Sequence, residues 1–243
     1  MLQFRPDPSA RFFAERIQRT GARVGVSVVA DEVATVDELL RAIAGRNADP
    51  RTHAVTVLAP LPSSVDVPAV METLDPRKDV EGLHPYNVGR LASERPTFIP
   101  YTADAIVLLL RENAIALAGS RAVVVGRSIV VGRPVSLLLM YENASVTLAH
   151  TGTHDLAALT REAEILVVAV GRPALITAQM VRPGAVVVDA GINATPDGVV
   201  GDVDFERVSR VASAITPVPG GVGSLTTMLL LRNAVTAAER FAS

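Results

Sequence analysis

The chain has 243 residues, of which 49% are hydrophobic and 4% aromatic, with 23 basic and 25 acidic side chains. A formal net charge of -2 gives no electrostatic case for binding nucleic acid or a membrane surface. Because cysteine is absent, disulfides, thiol nucleophiles and thiolate metal sites are excluded. No apolar run approaches the about 20 residues of a membrane-spanning helix. We therefore expect a cytoplasmic protein with an aliphatic core.

Short apolar runs alternate with helical patterns along the chain. The runs predict buried parallel strands at 23–30, 53–59, 121–126, 145–150, 164–170 and 185–191. Helices are predicted at 9–20, after the capping box Thr35–Glu38, at 102–115 and at 224–242. The proline-rich stretch 61–102 predicts long ordered loops around a site. This alternation indicates an α/β fold with parallel sheets, and a domain boundary follows the helix at 102–115.

Residues 122–139 (AVVVGRSIVVGRPVSLLL) predict a strand, a glycine turn and a helix that begins near Gly132. The N–H groups and the positive dipole end of such a helix can face a pyrophosphate. The G-x5-G spacing differs from the common dinucleotide fingerprint, so a plain turn stays an alternative. The first acid after the next strand is Asp155, and Arg127 stands beside the turn where it can bind a 2′-phosphate. If a dinucleotide binds, NADP is therefore favoured over NAD.

Seven motifs follow one another along the chain: APLP (59–62), KDVEGLHPYNVGRL (78–91), VVGRSIVVGRP (124–134), VTLAHTGT (146–153), VVDAGIN (187–193), GDVDF (201–205) and TPVPGGVG (216–223). In order and spacing they resemble the methylenetetrahydrofolate dehydrogenase/cyclohydrolase family. The resemblance implies two α/β domains with a cleft between them, in a cytoplasmic homodimer. Residues 1–115 plus 226–243 would form the folate-type catalytic domain, and 116–225 a Rossmann-like NADP-binding domain. The family oxidises methylenetetrahydrofolate by hydride transfer and then hydrolyses the methenyl product.

The resemblance also implies the residues of both sites. Those expected to bind the cofactor are Gly126, Arg127, Ser128, Val131, Gly132, Thr151, Gly171, Ile192, Asn193 and Thr226. Those expected to bind the substrate are Phe13, Ile17, Leu58, Glu81, Pro219, Gly220 and Gly221. Thr151 lies where the family often has serine, near the 2′-phosphate.

The substrate side departs from the family pattern. The family has a Tyr and, four residues later, a Lys on one helical face, where this chain has Phe13 and Ile17. The Gln that supports that Lys corresponds to Leu58, and an Asp that holds the pterin corresponds to Glu81. Since isoleucine cannot move a proton, cyclohydrolase activity is expected to be weak or lost, and the catalytic residue is unknown.

Other chemistry-bearing residues carry weaker signals. Lys78, the sole lysine, is expected on the surface and is not favoured as a catalyst. His84 and His150 are interpreted as structural, and either Tyr86 or Tyr101 could contact a ring. No His, Asp or Glu pattern has metal-ligand spacing.

Three hypotheses about function follow. The first is an NADP-dependent methylenetetrahydrofolate dehydrogenase. The second is a repurposed paralogue of specialised metabolism whose substrate is not a folate. The third is a binding protein that holds NADP or folate without catalysis.

Overall fold

A computed structural model describes residues 1–6, 8–58, 61–62, 65–196 and 198–242. The chain divides into a first unit, Met1–Ile99 with Thr227–Ser243, and a second unit, Pro100–Thr226. Over the described residues the strands are β1 Leu2–Phe4, β2 Asp31–Val33, β3 Val57–Leu58, β4 Arg121–Val125, β5 Ser145–Ala149, β6 Ile165–Val168, β7 Val186–Asp189, β8 Asn193–Thr195, β9 Gly198–Val200 and β10 Ala214–Ile215. The helices over the same residues are α1 Pro8–Arg23, α2 Val36–Ala48, α3 Val67–Glu72, α4 Pro85–Ala92, α5 Tyr101–Glu112, α6 Gly132–Tyr141, α7 Leu156–Thr160, α8 Phe205–Val208 and α9 Gly223–Ala242.

The first unit contains a parallel sheet in the order β2-β1-β3. The predicted strand at 23–30 is wrong, because strand structure begins only at Asp31. Asp31 pairs with Leu2, at the start of β1. Next to this pair, the Met1 amine donates a hydrogen bond to the Val29 carbonyl, and the Asp31 N–H donates one to the Met1 carbonyl. Residues 24–28 therefore have no neighbouring strand in the described structure that could satisfy an extended backbone.

Two short helices, α3 and α4, replace the long loops predicted between Leu61 and Thr102. Each begins with a side-chain cap and carries a proline in its first turn, an arrangement that favours a helix start. Asp66 accepts a hydrogen bond from the Ala69 N–H, and the His84 ring nitrogen accepts one from the Tyr86 N–H. Residues 59 and 60 of the APLP motif, and Asp7 at the start of the aligned helix, lie outside the described residues.

The second unit is built on a parallel five-stranded sheet in the order β10-β7-β6-β4-β5. The α/β class with parallel sheets is confirmed, and the four apolar runs predicted at 121–126, 145–150, 164–170 and 185–191 form β4 to β7. All four residues of β6 are buried, as a central strand requires. Sequence patterns did not predict β1, the β8–β9 hairpin or β10, which are only two or three residues long.

The division between the units falls before α5, at Pro100, whereas the sequence placed the boundary after that helix, at 115. The reason is that α5 packs against α6 of the second unit. Its buried face includes Ala103, Ile106 and Leu110. In the described part of the chain, no helix combines the length and the hydropathy that crossing a bilayer requires.

Lys78 holds the C-terminal end of α2. Its ammonium is buried and donates hydrogen bonds to the carbonyls of Arg46, Asn47 and Asp49 at 2.8, 2.8 and 2.9 Å. These carbonyls belong to the last turn of the helix and its cap, where the helix dipole is negative. The expected surface position of Lys78 is therefore wrong.

We expect Lys78→Met to lower the free energy of unfolding by about 2 kcal/mol, because three buried carbonyls lose a charged donor. Arg77→Met is the matched control, since the Arg77 side chain is 73% exposed in its pair with Asp75 and such pairs contribute about 1 kcal/mol or less. Urea unfolding of both variants checks the difference. Equal losses in the two variants would contradict this role of Lys78.

Candidate functional site

Gly126 ends β4 with a φ of 120°, a conformation that side-chain-bearing residues rarely adopt. A Cβ at this position would overlap the carbonyl of Ala169, and a Cβ at Gly132 would overlap the carbonyl of Gly126. Glycine therefore lets the ends of β4 and β6 and the start of α6 approach one another. This close backbone approach fits the predicted glycine turn.

The turn presents polar groups at the start of α6. The Ser128 hydroxyl accepts hydrogen bonds from the N–H groups of Val131 and Gly132 at 3.1 and 3.4 Å. Arg127 is exposed, and no described residue forms an ion pair or hydrogen bond with its guanidinium. An unpaired guanidinium beside a helix N-terminus is a donor set that fits the phosphates of a dinucleotide.

Four of the predicted cofactor positions follow neighbouring strands. Gly126, Thr151, Gly171 and Ile192 come after β4, β5, β6 and β7, respectively. Because these strands are parallel, the four positions share the carboxyl edge of the sheet, where open α/β sheets bind ligands. Ile192 is 72% exposed there. Thr226 is buried in the first turn of α9, and its hydroxyl donates to the Gly223 carbonyl at 3.1 Å.

Two buried carboxylates tie these loops together, and neither is among the predicted site residues. Asp202 accepts hydrogen bonds from the N–H groups of residues 170, 171 and 172 and from the Asn193 amide. Asp189 accepts from the N–H groups of Gly191, Asp202 and Val203. Burial raises the pKa of Asp189, although these N–H groups act in the opposite direction. The motif GDVDF marked the segment, but the partners of Asp202 are distant in sequence.

Four of the predicted substrate residues belong to the first unit. Phe13 is half-buried, and the Arg16 guanidinium carbon lies 6.0 Å from its ring centre. Ile17 and Leu58 are 2% and 4% exposed, so both are packed within the apolar core. Ile17 lines a cavity of about 740 Å³ together with Thr56 and other residues. The positions at which the family resemblance implies proton-handling groups therefore carry apolar side chains.

Glu81, the fourth of these, is buried beside Thr56, whose hydroxyl donates a hydrogen bond to its carboxyl group. Burial, and secondarily the charge of Asp79, raises the pKa of Glu81 to about 8. Asp79 is itself buried and accepts hydrogen bonds from the His84 N–H and the Asn87 amide, both at 2.8 Å. Glu81 is thus largely protonated at neutral pH, and its carboxyl group can donate a hydrogen bond as well as accept one.

The remaining predicted substrate residues, Pro219, Gly220 and Gly221, belong to the second unit. They form a tight turn before α9 in which the Val218–Pro219 peptide is cis. The turn is closed by a 2.8 Å hydrogen bond from the Gly221 N–H to the Pro217 carbonyl.

Comparison with known proteins identifies the family. Residues 1–81 match the catalytic domain of tetrahydrofolate dehydrogenase/cyclohydrolase, and residues 100–242 match its NAD(P)-binding domain. The chain belongs to the tetrahydrofolate dehydrogenase/cyclohydrolase family. The resemblance drawn from the seven motifs is confirmed, and so is a nicotinamide dinucleotide as the family's cofactor.

Relatives of this family cover nearly the whole chain. The bifunctional protein FolD of Parafrankia sp. (strain EAN1pec) is 48% identical over 96% of this chain and 85% of its own length. The bifunctional protein FolD of Geobacillus thermodenitrificans is 45% identical over 98% of this chain and 85% of its own length. Among solved structures, the bifunctional dehydrogenase/cyclohydrolase of Thermoplasma acidophilum has a TM-score of 0.93 at 37% identity, covering 99% of this chain and 88% of that one. The Trypanosoma brucei enzyme, complexed with NADP and an inhibitor, has a TM-score of 0.92 at 34% identity, covering 98% and 85%.

Within this family member the other candidate residues have local partners. His150 accepts a hydrogen bond from the Gly152 N–H at 3.0 Å, as His84 does from Tyr86. Tyr86 is exposed, with the Arg90 guanidinium carbon 5.8 Å from its ring centre. Among the described residues, no three His, Cys, Asp or Glu side chains are grouped so that they could hold a metal ion.

The raised pKa of Glu81 predicts a pH dependence of stability. A carboxyl group with a raised pKa in the folded state makes the protein less stable as pH rises from the ordinary value of 4.5 to about 8. Compared with Glu81→Gln, the wild type should therefore lose stability between pH 5 and 8, by at most about 1.4 kcal/mol per pH unit. Urea unfolding at both pH values measures the difference. Parallel pH profiles for the two proteins would show that Glu81 ionises normally.

Proposed function

We propose that this chain is an NADP-dependent oxidoreductase that transfers hydride between methylenetetrahydrofolate and NADP, with weak or no cyclohydrolase activity. Membership of the dehydrogenase/cyclohydrolase family supports the reaction type. The reduced second activity rests on one observation: the only lysine of the chain is buried with its three N–H groups on carbonyls of α2 and its cap. No lysine amine is therefore free to handle a proton elsewhere.

The cofactor side supports NADP. When bound, the dinucleotide supplies the hydride acceptor. The N-terminal end of α6 and the Ser128 hydroxyl would face its pyrophosphate, and Arg127 would pair with the 2′-phosphate. Gly171, Ile192 and Asn193 would contact it from the ends of β6 and β7. The Trypanosoma brucei relative, described as complexed with NADP, supports this choice of dinucleotide.

The two steps of the family reaction place different demands on the protein. Hydride transfer mainly requires that the donor and acceptor carbons are held face to face, which positioning can achieve. Hydrolysis of the methenyl product also requires a group that takes a proton from water. Phe13, Ile17 and Leu58 have no proton to exchange, and they keep that part of the first unit apolar. The dehydrogenase step can therefore survive where hydrolysis does not.

A second candidate is an enzyme with both activities. It is favoured by the names of the relatives at 44–48% identity, which are bifunctional proteins. In that case another group must replace the lysine. Glu81, whose pKa is raised to about 8, is the described side chain with suitable acidity in the first unit.

Purified protein given methylenetetrahydrofolate and NADP should form NADPH and accumulate the methenyl product. With methenyltetrahydrofolate as the starting compound, decay should match that in buffer. The variant Phe13→Tyr/Ile17→Lys/Leu58→Gln should speed that decay by about tenfold or more, as expected for a restored acid–base group. Circular dichroism would establish that this variant is folded.

The outcomes separate the candidates. Decay well above buffer in the wild type would support the bifunctional enzyme. NADP binding without NADPH formation from the folate would instead indicate the repurposed paralogue or the binding protein.

Arg127→Ala should raise the KM for NADP by about tenfold or more, because a charge-assisted contact with the 2′-phosphate is lost. The KM for NAD, which lacks that phosphate, should change little. Arg210→Ala, which removes another exposed arginine of the same unit, is the control. Steady-state kinetics with both dinucleotides decides the matter, and an equal rise in both KM values would contradict the role of Arg127.

A homodimeric state rests on the family resemblance, and a cytoplasmic location rests on that resemblance and on the sequence pattern; both stay predictions.

A further inference from the structure

Asp202 is a fully buried carboxylate without a cationic partner among the described residues. One of its oxygens accepts hydrogen bonds from the N–H groups of Val170 and Gly171 at 2.6 and 2.9 Å. The other accepts from the Arg172 N–H and the Asn193 amide, both at 2.8 Å. Four donors thus compensate the burial of one negative charge, and they come from two loops.

Asp189 performs the same task for the segment that carries Asp202. Its oxygens accept hydrogen bonds from the N–H groups of Gly191, Asp202 and Val203 at 2.9, 3.0 and 2.9 Å. Its own N–H donates to the Thr216 hydroxyl at 2.8 Å. The end of β7 therefore fixes residues 201–203, and Asp202 in turn fixes residues 170–172.

The space around the two carboxylates is filled. A Cβ at Gly191 would overlap the carboxylate of Asp202, and one at Gly201 would overlap that of Asp189. Because Gly191 lies against the Asp202 carboxylate and Gly201 against the Asp189 carboxylate, neither carboxylate has room to turn away from its donors. The loops 170–172 and 191–193 therefore have a single anchored arrangement.

We propose that Asp202 is a positioning residue for the dinucleotide, which holds Gly171 and Asn193 in their binding arrangement before the cofactor arrives. The proposal rests on the proposed function, since it takes NADP as the ligand. Asp202 is buried and does not itself touch the cofactor. Anchoring the loops in advance lowers the entropy cost of binding, so its loss weakens cofactor affinity more than the chemical step.

The experiment compares Asp202→Asn with Asp204→Asn. The first variant keeps the shape of the side chain but replaces one acceptor oxygen with an NH₂ group that faces N–H donors, which leaves two of the four without an acceptor. The second variant changes an aspartate two residues away, which caps α8 through the Arg207 N–H at 3.4 Å. An asparagine preserves that cap, so the control should behave as the wild type.

The first measurement needs no ligand. Hydrogen exchange of the amides at 170–172 should be slow in the wild type and about tenfold faster or more in Asp202→Asn. The second measurement is the Kd for NADP by calorimetric titration, which should rise by about tenfold, equivalent to about 1.4 kcal/mol. The KM for methylenetetrahydrofolate and kcat at saturating NADP should stay within about threefold of the wild type, a change below that 1.4 kcal/mol.

Gly191→Ala is the second variant, in case Asp202→Asn does not fold. Its added methyl group displaces the Asp202 carboxylate and should shift exchange and Kd in the same direction. If neither variant folds, the wild type still decides: unprotected amides at 170–172 would overturn the proposal, and protected ones would support it.

The proposal is also overturned if folded Asp202→Asn keeps wild-type exchange or wild-type Kd, or if Kd and the folate KM rise by the same factor. Wild-type protein that does not bind NADP would instead refute the proposed function.

Discussion

Every buried backbone N–H needs an acceptor, and in residues 170–172 and 201–203 of the second unit two carboxylate side chains meet much of that need. Strand pairing satisfies the backbone as far as Ala169 and Ala190, and the N–H groups of residues 170–172 and 191 then turn to carboxylate side chains. Asp202 and Asp189 supply seven acceptor contacts to these loops. The positions expected to bind a dinucleotide are thus set from inside the protein, by carboxylates that a ligand never reaches. A rigid scaffold beneath functional loops is how α/β domains combine precision with sequence variety above the sheet.

Buried charge is handled differently in the two units. In the second unit, several N–H dipoles surround each carboxylate and spread its charge. In the first unit, Lys78 is compensated by three carbonyls, whereas Glu81 has one hydroxyl partner and a nearby carboxylate, so its pKa rises to about 8. The N–H donors around Asp189 oppose the rise in its pKa that burial causes, whereas Glu81, with one neutral hydroxyl partner, has a pKa of about 8.

The sequence predicted what depends on local pattern and missed what depends on neighbours. The strands β4 to β7 and the long helices α1, α2, α5 and α9 were predictable because their apolar patterns are strong. The run at 23–30 has the same composition as a strand, but pairing requires a partner, which composition does not reveal. The caps Asp66 and His84 with their prolines could have predicted α3 and α4. At the candidate site, sequence motifs predicted the glycine turn and showed that the family's lysine is missing. The donors around Asp202 come from residues 170–172 and 193, which only the fold brings together.

The enclosure of Lys78 has a consequence for covalent modification. Since it is the only lysine, the folded chain presents no side-chain amine to acetylation, ubiquitin attachment or amine-directed cross-linkers. Its ammonium becomes reactive only when the C-terminal end of α2 separates from residues 75–79. Among the side chains, reagents that attack amines would therefore report local opening at one known place in the molecule, and the N-terminal amine is their other target.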